Sequence, residues 1–212
     1  MTETGTEPRR TPHRRRRALG DFVAGQVADL QRRYRRREPA AVASLAKLRR
    51  EVNAEPGVQF ALSGVRELPP GLLGPTYGDE PTRAELAVSA AVSLYALHQQ
   101  SRFEDPMHVD GPSFATAVAL LAARSPSTEA VRRRFAAAGT AASFPELRHH
   151  TRGLVAQLRG GGIGMDYGRF ADDLMIFLGP GGPQRLRGVW GRDYWRTDDR
   201  TDHDKPDSLE QQ

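Results

Sequence analysis

The sequence predicts an all-α fold, a compact bundle of about seven to nine helices with a basic arm before it and an acidic tail after it. Three observations lead there. Apolar residues recur at three- and four-residue steps through most of the chain, and strand-like alternation never lasts. Thr82 with Glu85, and Ser143 with Glu146, have the spacing of the capping boxes that open helices. Glycine and proline gather between the periodic stretches, where helices stop.

Residues 1–16 carry almost no apolar side chains and are expected to form a disordered basic arm. Leu19, Phe22, Val23, Val27, Leu30 and Tyr34 then mark one face of a helix that ends near Pro39. Val42, Leu45, Leu48 and Val52 extend the pattern into a second, shorter helix. Asn53 to Pro81, rich in Pro and Gly, reads as a long irregular connection. The Thr82 box opens RAELAVSAAVSLYALHQQS, and Asp110, Gly111 and Pro112 precede SFATAVALLAA. Ser125 or Ser127 caps STEAVRRRFAAAG, and the Ser143 box opens FPELRHHTRGLVAQLR, which Gly160, Gly161 and Gly162 end. DYGRFADDLMIFL and PQRLRGVWGRDYWR supply the last two helices of a body spanning 17–196, before an acidic tail, 197–212, expected to be disordered.

Charge is unevenly distributed. The 212 residues hold 31 Lys+Arg and 26 Asp+Glu, a formal +5, and Lys47 and Lys205 are the lysines. Residues 1–50 hold 14 basic and 5 acidic groups (+9), residues 51–192 hold 14 and 14 (0), and residues 193–212 hold 3 and 7 (−4). A basic arm, balanced body and acidic tail suit a protein that handles polyanions. The absence of cysteine excludes disulfides, thiolate catalysis and thiolate-bound metals. The longest nearly apolar run, Leu86 to Leu97, has twelve residues, too few to span a bilayer. The first residues have charge but no apolar run behind it, so no secretory signal is expected; the cytoplasm is, without membrane contact.

Between Val131 and Arg159 lie six arginines and one carboxylate, Glu146. With Leu147, Leu154 and Leu158 turned inward, Arg148, Arg152 and Arg159 fall at about 100°, 140° and 120° from Leu147, a strip roughly 16 Å long. In the last helix, Arg185, Arg192 and Arg196 fall at about −100°, −120° and −80° from Leu186, whose face also carries Val189 and Trp190. In the helix before these two, Val131 and Phe135 pack inward, Arg133 lies farthest from the core, and Arg132 and Arg134 flank it. Rows of guanidinium suit phosphate, since each is permanently charged and donates paired hydrogen bonds. A broad apolar face also aligns charges by default, so a plain solvated surface is the competing explanation.

Other constellations carry less. His149 and His150, adjacent on a helix, point about 100° apart and cannot chelate one ion together. Asp172 and Asp173 face the same objection as a two-metal site and read as a helix-surface pair. His98 reads as a satisfied core or interface histidine. GGGIG and GPGGP lack phosphate-loop spacing and read as helix stops. Phe103, Tyr167, Trp190 and Tyr194 are expected in the core, while Trp195 lies opposite the apolar face of its helix and is available for base stacking. No catalytic residue, cofactor or metal is expected.

In order, LYALHQQS, PMHVDGPSF, EAVRRRF, HHTRGLVAQLR, MDYGRFADDL and GRDYWR resemble the CasB family, the small subunit of Cascade, the type I-E CRISPR surveillance complex. The resemblance covers about Arg83 to Arg196. It implies an all-α protein without enzymatic activity, two copies of which associate head to tail along the complex beside the other Cascade subunits. It further implies contacts to the guide RNA (crRNA) and to target DNA, including the displaced strand, through Arg133 or Arg134, Arg152, and Arg185 or Arg187, with Arg83 a further candidate. The arm and the tail lie outside it. Three rivals remain: a sequence-specific helical DNA-binding regulator using STEAVRRRF, a nuclease using Asp166, Asp172 and Asp173, and an adaptor whose arginines meet acidic proteins.

Overall fold

The structure is a computed structural model describing residues 14–52, 67–75 and 78–203, the side chains of Glu51 and of residues 197–203 excepted. These form nine helices: α1 Ala18–Arg35, α2 Pro39–Glu51, α3 Pro70–Leu73, α4 Arg83–His98, α5 Phe114–Arg124, α6 Thr128–Thr140, α7 Phe144–Gly160, α8 Tyr167–Phe177 and α9 Gly182–His203. All-α is therefore the fold class, and no named strand occurs among the described residues; a lone β-bridge joins His108 to Met165.

Local chemistry sets the helix starts. The α4 box is complete: Glu85 N–H donates to Thr82 Oγ1 (3.2 Å) and Thr82 N–H to Glu85 Oε2 (2.7 Å). At α7, Ser143 Oγ accepts from Glu146 N–H (3.3 Å), but Glu146 reaches back one residue farther, to Ala142 N–H (2.8 Å). Ser127 precedes α6 without a side-chain cap, and Ser125 Oγ instead accepts from Ser127 N–H (3.2 Å). The Pro- and Gly-rich connection contains short α3; its residues 53–66 and 76–77 lie outside the described ones.

Helices α4 and α8 are buried on nearly every side and form the centre. Helix α4 packs on α8, α2 and α7, while α8 also meets α1 and α9. Helix α5 joins α9 and α6 through Phe114, whose ring lies 4.9 Å from that of Trp190. Phe135 of α6 stacks on Tyr194 (4.9 Å) and Trp190 (5.8 Å) of α9. Since Arg132 lies over Trp195 and Arg187 Nε donates to Gly139 O (3.0 Å), α6 and α9 run antiparallel. Gln31 pins the 107–109 loop to α1, donating to His108 O (3.0 Å) and accepting from His108 N–H (2.8 Å).

Two expectations need correction. Asp172 and Asp173 are not a surface pair: they are 2% and 0% exposed. Helix α9 continues past Arg196 to His203, so helix extends into the first part of the expected tail; residues 204–212 lie outside the described ones. The arm also contributes more than its composition indicates. Arg14 and Arg16 are fixed to the body by ion pairs, Arg14 to Asp173 and Arg16 to Asp166 (3.2 Å) and Asp110 (2.7 Å), whereas residues 1–13 lie outside the described ones.

Candidate nucleic-acid interface

The faces expected to be apolar do point inward: Leu147, Leu154 and Leu158 of α7 are fully buried, as are Leu186 and Trp190 of α9 and Val131 of α6. That burial turns the arginines outward. Arg133 and Arg134 on α6 and Arg185 and Arg192 on α9 are exposed, and their side chains make no hydrogen bond or ion pair among the described residues. Arg187 is exposed as well, and its bond to the Gly139 carbonyl leaves its charge unmatched by a carboxylate. Arg83, at the first position of α4, is likewise exposed and borders a cleft lined by Leu72, Leu73, Pro81 and Met175. Arg152 is exposed and already has an interaction within the chain.

The α7 strip is not a free rail. Arg148 is half-buried and donates to Val52 O (3.0 Å) at the end of α2, and burial lowers its pKa. Arg159 is also half-buried and donates to Gln100 Oε1 (2.8 Å) beyond α4, while Arg102 donates to Arg159 O (2.6 Å). Both ends of the strip therefore tie α7 to its neighbours, and Arg152 alone of the three is exposed. Nor do the strips on α6 and α9 lie side by side. Arg187 and Tyr194 mark the flank of α9 that meets α6, Trp195 lies between that flank and Arg192, and Arg185 and Arg192 turn away from α6.

The buried face of α9 borders α8 and the end of the arm. Asp193 of α9 pairs with buried Arg169 of α8 (3.5 Å), and Trp190 Nε1 donates to Asp173 (2.9 Å), the carboxylate that also holds Arg14. Asp172 caps α1 from a distance in sequence, accepting from the N–H of Arg17 (2.7 Å) and of Gly20 (3.1 Å). Asp166 caps α8 through Arg169 N–H (3.0 Å) and accepts from Gly111 N–H (3.1 Å). Burial raises the pKa of Asp172, and it raises that of Asp173 to about 6 against the pull of Arg14. These three acids are consumed in holding helices and arm together, which leaves none of them open to a pair of metal ions. No cluster of three or more His, Asp or Glu suited to a metal occurs among the described residues.

The remaining candidates resolve simply. His98 is fully buried with Nδ1 3.0 Å from Tyr167 Oη, and burial lowers its pKa to about 3, so it is a neutral core residue. His150 Nε2 lies 3.7 Å from Glu146 on the same helix face, and His149 is exposed. Tyr167, Trp190 and Tyr194 are core residues, Phe103 stacks on Tyr34 (4.7 Å), and Trp195 is 57% exposed. The anchoring of Arg14 and Arg16 is the functional geometry that sequence reasoning missed. Its signal was three aspartates in and beside a helix otherwise apolar nearly all round, where carboxylates must meet cations or N–H groups.

Residues 44–195 match the model of the family described as CRISPR-associated protein Cse2. The chain belongs to the Cse2 family. CasB from Thermobifida fusca, known from its crystal structure, is 36% identical, with a TM-score of 0.70 over 85% of this chain and 99% of that one. No curated protein matches. Helices α4 to α8 and most of α9 fall within the Cse2 match, with Arg83, Arg133, Arg134, Arg148, Arg152, Arg159, Arg185, Arg187 and Arg192, while α1 and the arm precede it and Arg196 follows it. No helix among the described residues is long and apolar enough to cross a membrane.

Proposed function

We propose that this Cse2-family chain is the non-catalytic small subunit of a type I-E CRISPR surveillance complex, Cascade. In that role it holds the sugar–phosphate backbone of guide RNA and target DNA, steadies the displaced strand, and sits beside a second copy of itself and the other subunits. The observation that carries this reading is the set of exposed guanidiniums on α6 and α9, Arg133, Arg134, Arg185, Arg187 and Arg192, none of which meets a carboxylate among the described residues. A guanidinium without an internal partner is available for phosphate at little desolvation cost.

The separation of the α6 and α9 flanks supports two lines of backbone binding rather than one groove. R-loop formation exchanges one duplex for another of similar stability, so a few bonds to phosphate suffice to tip it. Sequence is read by guide pairing, and the subunit needs no base-specific chemistry.

The test is target binding by the assembled complex carrying Arg133→Glu with Arg134→Glu, or Arg185→Glu with Arg192→Glu, across a salt series. Each pair is expected to weaken binding and to flatten log K against log salt by about 0.7 to 0.9 for every phosphate no longer neutralised. Unchanged affinity and slope in both variants overturn the reading. A footprint by the chain alone at one unique duplex sequence supports the regulator instead.

A further inference from the structure

The chain has two tryptophans with opposite environments. Trp190 is 1% exposed and donates to Asp173, whereas Trp195 is 57% exposed, the exposed large apolar side chain among the described residues. The Trp195 indole is nevertheless held in place. Tyr194 meets it edge-on at 5.4 Å and 75°, and the Arg132 guanidinium carbon from α6 lies 5.6 Å from the ring centroid. Cation–π contact fixes the ring orientation and leaves indole surface open to solvent. Exposed Arg192 and Arg196 lie within one turn of it along α9, and exposed Arg133 follows Arg132 on α6.

We propose that Trp195, seated against Arg132, is a stacking site for a nucleobase of an unpaired nucleic-acid strand; this assignment rests on the nucleic-acid reading above. A protein partner would call for a contiguous apolar patch of several hundred Å², roughly, and a single indole seated against a guanidinium does not provide it. An unpaired strand presents both required features, a π-face every nucleotide and phosphates on either side. Base stacking is tolerant of sequence, as suits a subunit that does not read bases.

The experiment uses the full chain and its own fluorescence, with an oligothymidylate and an abasic oligodeoxynucleotide of equal length as probes. Because Trp190 is enclosed, quenching reports on Trp195. Oligothymidylate is expected to quench and the abasic strand to bind more weakly without quenching. Trp195→Ala is expected to weaken oligothymidylate binding roughly 5- to 150-fold, leave abasic binding unchanged and melt as the native chain does, with Trp195→Phe recovering part of the affinity. Equal, unquenched binding of both strands overturns the stacking site and leaves the backbone reading standing. Failure of the chain to bind either strand overturns both. Loss of self-association in Trp195→Ala with oligothymidylate binding intact makes Trp195 a contact between copies and likewise overturns the proposal.

Discussion

Helices α1 and α8 cross at a pair of glycines, and an added methyl group there should be costly. A Cβ on Gly20 would lie 2.5 Å from Asp172 Oδ2 and 2.8 Å from the Gly168 carbonyl oxygen; one on Gly168 would overlap the Gly20 carbonyl and approach Ala24 Cβ at 2.9 Å. Comfortable separation begins near about 3.5 Å, so α1 and α8 would have to part by roughly 0.5–1 Å. Overpacking of this kind costs about 1–3 kcal/mol. The parting also stretches the two bonds from Asp172 to the α1 start, worth about 1 kcal/mol more if they weaken by half. Gly20→Ala should therefore lose about 2–4 kcal/mol, lowering Tm by roughly 5–15 °C in a chain of this size. Gly25 in the same helix has no atom within 4 Å of its Cβ position, so Gly25→Ala should gain up to about 1 kcal/mol from helix propensity. Thermal melts followed by circular dichroism compare the two. If Gly20→Ala melted at or above the native chain, or Gly25→Ala fell equally far, the close crossing would be wrong.

Two further perturbations bear on the same framework. Asp173 titrates near 6 in the folded chain against about 4 when unfolded, so its stabilising contribution is greatest at low pH and declines as pH rises to about 6. Asp173→Asn lacks this titration; urea denaturation of both proteins should show native stability falling by about 2 kcal/mol relative to the variant from about pH 4.5 to 7, and a constant difference would refute it. Thr82→Ala should cost about 1 kcal/mol in urea denaturation because it opens the α4 box, while Ser127→Ala, with no cap bond to remove, should stay within about 0.5 kcal/mol of native.

Much of this arrangement could be read from residue spacing, and the parts that could not share a cause. The inward faces of α1, α6, α7 and α9 follow from periodicity, because a helix with one apolar stripe has one way to bury it. The Thr82 box is local and needs no tertiary information. Helix α8 offered no such stripe: with nearly every residue buried, its carboxylates had no solvent side to occupy, and their partners lie more than 150 positions away in Arg14, Arg17 and Gly20. Angles around one helix place Arg148, Arg152 and Arg159 on one strip, but not the neighbours that take up Arg148 and Arg159. Those neighbours, Val52 and Gln100, arrive from other elements.

Sequence alone determined the helices, their buried faces and the excess of arginine over nearby carboxylate, because each depends on residues a few positions apart. Tertiary structure decided which charges remain available. It removed Arg14, Arg16, Arg148 and Arg159 into internal bonds, left Arg133, Arg134, Arg185 and Arg192 exposed, and separated the α6 and α9 flanks. The reason is that an ion pair or a bond to a carbonyl depends on where the chain returns in space, which periodicity along one helix does not encode.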